Sequence, residues 1–162
     1  MVRTGKLSST DIEYLDINDF LIFLESSLGK RMTKASMEGN LWREQPFTLA
    51  ISAREANPSW NGNETVLVQG MIDAYFEEEG RYVIVDYKTD CVYTLDGSDL
   101  SKKYGRQLLY YRRALEQVTG RKVEEMIIYS IALGKEIFVL GPRECGKDSV
   151  LKPAVERRYL LS

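Results

Sequence analysis

Histidine is absent from the sequence. That excludes Ser-His-Asp and Cys-His catalysis and every histidine metal ligand within this chain. The two cysteines, Cys91 and Cys145, are too few for a disulfide framework and read as reduced thiols. No apolar run approaches the roughly 20 residues that a membrane helix needs. The segment Met1 to Lys6 has no apolar stretch behind it, so no secretory signal is visible. The expectation is a cytoplasmic protein with no membrane partner. An excess of basic charge is also missing. Against 22 Lys and Arg stand 24 Asp and Glu, a net charge of −2. Nucleic-acid binding would therefore come from a local patch or a larger parent protein, not from the whole-chain field. What remains for catalysis is carboxylate, lysine, tyrosine or a bound ion. Oxygen ligands favour Mg²⁺ or Mn²⁺.

The 162 residues suit one compact domain. Residues 10–32 read as helical, with Thr10 or Asp11 as cap and Ile12, Leu15, Phe20, Phe23 and Leu24 at helix-like spacing. Asp16-Ile17-Asn18 is a candidate break and Gly29 a candidate stop. Phe47 to Ile51 is strand-like, and Pro46 points to an edge or a bulge. Ala56 to Asn63 reads as a loop. Lys102 to Thr119 reads as a helix closed by Gly120. Val123 to Ser130 and Glu136 to Leu140 read as strands joined around Gly134-Lys135. These elements imply an α/β fold: a central mixed sheet flanked by helices.

The clearest local feature is a hairpin of Thr65 to Glu77 and Arg81 to Thr89. A two-residue loop, Glu79-Gly80, suits a tight turn. Glu78 then pairs with Arg81, and Asp73 falls opposite Asp86. Lys88, two residues on, emerges on the face of Asp86. Ile72, Ala74, Phe76, Val83, Val85 and Tyr87 fill the other face. Opposed aspartates destabilise a sheet unless something compensates. A divalent cation turns their repulsion into affinity, with Lys88 placed to stabilise charge on a phosphate. The plain alternative is two solvated aspartates, one of them paired with Lys88.

Gly70-Met71-Ile72-Asp73, followed by Val83-Ile84-Val85-Asp86-Tyr87-Lys88-Thr89-Asp90, resembles the PD-(D/E)XK nucleases, and most closely their RecB-like branch. There a Gly-x-Ile-Asp strand supplies the first aspartate, and an Asp-Tyr-Lys-Thr strand supplies the second with its lysine. Gln107 and Tyr111 match the Gln-x-x-x-Tyr motif of a later helix, one turn apart on one face. Trp42 to Phe47 is similar to the strand before the catalytic hairpin. Asp-x-Lys alone is a weak signal; three motifs in order and spacing are a strong one. Across roughly residues 10–140 the ensemble is most similar to the C-terminal nuclease domain of AddA-type subunits, from the helicase–nucleases of bacterial double-strand-break repair.

The resemblance implies a restriction-endonuclease-like fold and DNA exonuclease activity. It implies Asp73, Asp86 and Lys88 as catalytic residues, with Mg²⁺ or Mn²⁺ on Asp73, Asp86 and the Tyr87 carbonyl. Gln107 and Tyr111 would support the site or touch DNA. Lys102, Lys103, Arg106, Arg112 and Arg113 are candidate phosphate contacts, or a solvated helix face. Tyr104 and Tyr110 are read as packing residues, and Glu44 as a lesser site candidate or an ion-pair partner. The implied partners are DNA and a B-type subunit, with ATP used only by helicase domains absent from this chain. The branch carries an upstream histidine helix that this chain lacks. Residues 1–162 therefore read as a single, partial nuclease domain of a larger protein. The rivals are a non-catalytic DNA-binding or interaction module with a nuclease fold, and an independent nuclease of the same branch. Gly141 to Lys147 fits part of a P-loop, but Asp148 stands where Ser or Thr should hold Mg²⁺. It reads as a polar turn.

Overall fold

The computed structural model describes residues 17–60 and 64–139. Two helices lead, α1 (Ile17–Glu25) and α2 (Ser27–Met37). Strand β1 (Leu41–Ser52) and a single helical turn, α3 (Ala53–Ala56), follow. Then come β2 (Thr65–Glu78), β3 (Arg81–Lys88), the long helix α4 (Ser98–Thr119), β4 (Val123–Ser130) and β5 (Lys135–Phe138). The strands form one sheet in the order β1-β2-β3-β4-β5. Only β3 and β4 are parallel. A parallel pair needs a long crossover, and α4 supplies it. Leu100, Leu108, Tyr111 and Leu115 of α4 pack on one sheet face against Ile84 and Ile128. Leu28, Met32 and Ala35 of α2 cover the other, against Phe76, Val83 and Val85. The expected α/β architecture is present, and its central strands are buried on both faces.

The β2–β3 turn is the two-residue loop expected from sequence. Glu79 and Gly80 both have positive φ, 53° and 78°, as a type I′ turn requires. Glu78 pairs with Arg81, and the register runs without slip to Ala74 opposite Val85.

Several expectations are corrected. A helical break that the sequence did not announce falls at Ser26, whose Oγ accepts the Gly29 N–H at 2.9 Å and so caps α2; the candidate break at Asp16-Ile17-Asn18 lies at the edge of the described residues. Gly29 does not stop a helix; it lies inside α2, where a Cβ would stand 2.0 Å from the Phe23 carbonyl oxygen. Its role is close approach of α1 to α2. The strand expected over Phe47 to Ile51 is the end of the longer β1, an edge strand as Pro46 suggested. The expected loop from Ala56 follows a helical turn capped by Ser52, and its residues 61–63 lie outside the described part. So do Thr10, Asp11, Leu140, Cys145 and the P-loop-like string.

Ile72 is the most instructive correction. Strand alternation sets it beside Ala74 and Phe76, yet it packs on the α4 face with Leu108 and Tyr111. Val66 and Val68 also face that way, but so does Tyr75, an odd step further on. In β1 the same slip separates Trp42 from Phe47, both of which face α4. Alternation along a regular strand forbids this. The interruption lies at Glu44 and Asp73, the rung missing between Arg43–Ala74 and Gln45–Ile72. Glu44 has φ 51°, a left-handed backbone that turns the strand over. Below that twisted rung lies the end of β3 that carries the candidate site.

Candidate active site

Asp86 is fully buried near the carboxyl end of β3. Its neighbours Val85 and Tyr87 face α2, which leaves Asp86 pointing to the α4 side of a closed core. Neither of its carboxylate oxygens accepts a well-formed hydrogen bond from any described residue. Lys88 Nζ stands 2.6 Å from Oδ2 as an ion pair, with its own side chain 15% exposed. Burial holds the Asp86 carboxyl above its ordinary pKa; Lys88 pulls it down and Asp73 pushes it up. A buried carboxylate without hydrogen bonds is a costly arrangement.

Asp73 comes from the twisted rung of β2. The register would set it directly opposite Asp86, but the ladder ends one rung earlier, at Ala74–Val85. Asp73 Oδ2 instead accepts the Tyr87 N–H at 3.0 Å. That bond fixes the first carboxylate beside the second. The Tyr87 ring lies on the opposite sheet face, where its hydroxyl donates to Met32 Sδ at 3.5 Å. Burial lifts the Tyr87 phenol to about 12.

From α4, Gln107 Nε2 donates to the Tyr111 hydroxyl at 2.5 Å. The Tyr111 phenol is raised to about 12, first by burial and then by the charges of Asp86 and Asp73. Tyr111 and Leu108 of α4 pack with Ile84 and Ile72 on the sheet face toward which Asp86 points. The Tyr111 ring packs edge-on to Phe47, with centroids 5.3 Å apart. The structure thus brings together Asp73, Asp86, Lys88, Gln107 and Tyr111.

The basic cluster is not gathered in the same way. Arg113 is ion-paired with Glu55, Arg106 donates to the Glu55 carbonyl, and Arg112 holds Glu116. Lys103 holds Asp90. Lys102 is exposed. Glu44 has no ion-pair partner among the described residues, and its backbone is left-handed. Two site neighbours were missed as such, Asp90 and Tyr104. The Tyr104 hydroxyl donates to Asp90 while Lys88 Nζ sits over the Tyr104 ring. Their signal was positional: Asp90 lies two residues past Lys88, and Tyr104 lies one helical turn before Gln107 and Leu108.

The residues fit a hard divalent cation. The fit rests on Asp86, whose Oδ1 is buried without a partner and whose Oδ2 meets only the Lys88 ammonium, with a second carboxylate beside it. Among the described residues no group of three or more His, Cys, Asp and Glu exists. Two carboxylates are what this chain would offer such an ion, and Mg²⁺ commonly takes one or two and completes its shell with water and substrate phosphate.

A buried aspartate, a half-buried aspartate beside it and a lysine thus lie together at the carboxyl end of β3. Residues 16–158 match the PD-(D/E)XK nuclease superfamily, and the chain belongs to that superfamily. Particular relatives carry one name, the A-type subunit of an ATP-dependent helicase/nuclease. The chain is 34% identical over 172 residues to the one from Lachnoclostridium phytofermentans, covering 86% of this chain and 12% of that protein. It is 35% identical to the one from Ruminiclostridium cellulolyticum over 83% of this chain and 11% of the relative. For that of Clostridium botulinum the figures are 38%, 78% and 10%. The chain spans about a tenth of the length of these curated relatives. Among the described residues no helix is long and apolar enough to cross a membrane.

Proposed function

We propose that this chain is the nuclease domain of a bacterial helicase–nuclease, and that it hydrolyses DNA phosphodiester bonds as an exonuclease in double-strand-break repair. The observation that carries the reading is Asp86, buried with both oxygens lacking hydrogen bonds and flanked by Asp73 and Lys88. Asp73, Asp86 and the Tyr87 carbonyl would hold Mg²⁺ or Mn²⁺. The bound cation supplies Lewis acidity toward the scissile phosphate and activates water for attack.

The other roles belong to side chains. Asp73 spends one oxygen on the Tyr87 N–H and so keeps its orientation without substrate. The Lys88 ammonium stabilises the negative charge that develops on the phosphate. Gln107 fixes the Tyr111 hydroxyl against the carboxylates. Lys102 and Arg106, exposed on α4, contact the DNA backbone. The domain is one unit, residues 1–162, of a longer cytoplasmic polypeptide. That polypeptide pairs with a B-type subunit; its helicase domains, outside this chain, use ATP.

The test is a cleavage assay on linear duplex DNA with Mg²⁺, in the full-length helicase–nuclease where one exists. Asp86→Ala and Lys88→Ala are each expected to lower cleavage by about 10²–10³ while ATP-driven unwinding persists. Wild-type cutting by either variant contradicts the reading, and points to a nuclease-fold module that only binds.

A further inference from the structure

Lys88 is held from two sides. Its Nζ is 2.6 Å from Asp86 Oδ2 and 4.4 Å from the centroid of the Tyr104 ring. The Tyr104 hydroxyl donates to Asp90, 2.9 Å from each carboxylate oxygen. Asp90 in turn binds Lys103 Nζ at 2.5 Å, and Lys103 stands 4.8 Å from the same ring centroid. The ring therefore lies near two ammonium groups, and its tip is pinned by a carboxylate. An aromatic face attracts a cation through its quadrupole, the more so where water is thin. A phenol bonded to a carboxylate is polarised in the sense that strengthens this attraction.

These contacts matter because Asp86 cannot serve two cations at once without cost. A divalent ion on Asp86 repels an ammonium held against the same carboxylate. Lysine has a flexible four-carbon stem, and nothing in the ion pair alone would keep it near the site after that exchange. Among the described residues, Tyr104 is its only other partner.

We propose that Tyr104, pinned by Asp90, is a positioning residue for Lys88: its ring holds the ammonium at the end of β3 when a divalent cation takes Asp86. Lys88 then stays where a scissile phosphate lies, instead of swinging into solvent. The proposal rests on reading Asp86 as a cation ligand.

The experiment is NMR on the whole chain, in wild type, Tyr104→Phe and Tyr104→Leu, without and with Mg²⁺. Protons over an aromatic face resonate upfield. The Lys88 ε-methylene signal is expected upfield in wild type and Tyr104→Phe, and at the position of an exposed lysine in Tyr104→Leu. With Mg²⁺ the Asp86 carboxyl carbon shifts, while the wild-type Lys88 signal stays upfield. Equal Lys88 signals in wild type and Tyr104→Leu overturn the proposal. So does a return to the exposed position on adding Mg²⁺. An unmoved Asp86 carboxyl overturns the cation reading instead, and the leucine comparison still decides whether the ring seats the lysine. In cleavage assays Tyr104→Leu is expected to lower kcat about tenfold at unchanged KM, with partial recovery in Tyr104→Phe, which keeps the ring and loses the Asp90 bond. Equal kcat in wild type and the leucine variant contradicts the positioning role.

Discussion

At the turn end of the β2–β3 hairpin Glu77, Glu78 and Arg81 each have a partner of opposite sign. Glu78 accepts from Arg31 at 2.7 Å, Arg31 also reaches Glu125 at 2.9 Å, and Glu77 is paired with Arg121. At the far end of the same two strands the ladder stops, Lys88 pairs with Asp86 alone of two neighbouring carboxylates, and Asp86 Oδ1 has no partner. The paired end is partly exposed, with the Arg31 side chain at 22%, whereas the Asp86 side chain is at 1%. Solvent would have tolerated unpaired charge at the first end; the second concentrates it where water is excluded. Native proteins satisfy their buried polar groups, and exceptions mark sites. The difference separates the part of the hairpin that stabilises the fold from the part held ready for a ligand.

The largest expected effect breaks the stabilising end. Phe76 is fully buried beside Val83 under α2. Phe76→Ala is expected to cost about 3–5 kcal/mol in denaturant unfolding, with cation binding intact in the folded fraction. A smaller effect sharpens the contrast at the far end. Asp73→Ala strips the Tyr87 N–H of its acceptor, whereas Asp73→Asn keeps an oxygen for it. The alanine variant is expected to be about 1–2 kcal/mol less stable than the asparagine variant, and both to lose the response to Mg²⁺. Equal stabilities in calorimetry would mean that the Tyr87 bond contributes nothing. The smallest effect returns to the turn. Glu79 is a non-glycine residue at φ 53°, and Glu79→Asn is expected to raise stability by about 1 kcal/mol without touching cleavage.

The hairpin is legible in the sequence because loop length fixes register: once Glu79-Gly80 is the turn, pairing follows from Glu78–Arg81 to Ala74–Val85, and Asp73 and Asp86 come next. The α4 helix is legible for a similar local reason, since Gly120 at φ 69° closes it. What is not legible depends on tertiary context. Gly29 looks like a helix stop, and only the nearness of Phe23 reveals its purpose. Ile72 changes face at the rung missing between Glu44 and Asp73, where Glu44 has a left-handed backbone, and nothing in Trp42-Arg43-Glu44-Gln45 announces that. The Asp90–Tyr104 seat spans a loop and a helix start, so no single periodicity carries it. Arg112 and Arg113 of α4 suggest phosphate contacts until Glu116 and Glu55 are seen holding them.

The central claim is that Asp86 is kept without hydrogen bonds for a cation at the expense of fold stability. Its pKa is raised in the folded chain, chiefly by burial, so the native state holds that proton more tightly than the unfolded state. The associated stability is full below the ordinary carboxylate pKa and is lost as pH rises through the raised value. At neutral pH the ionised group therefore weighs against the fold until a cation binds. The most direct measurement is the thermal unfolding of wild type and Asp86→Asn at neutral pH, in EDTA and then in millimolar Mg²⁺. In EDTA the asparagine variant is expected to melt higher, by a margin that narrows as pH is lowered toward the carboxylate range. Mg²⁺ is expected to raise the wild-type Tm alone, since a ligand bound only to the native state stabilises by mass action. An asparagine variant that melts below wild type in EDTA, or a wild-type Tm that ignores Mg²⁺, would contradict the claim.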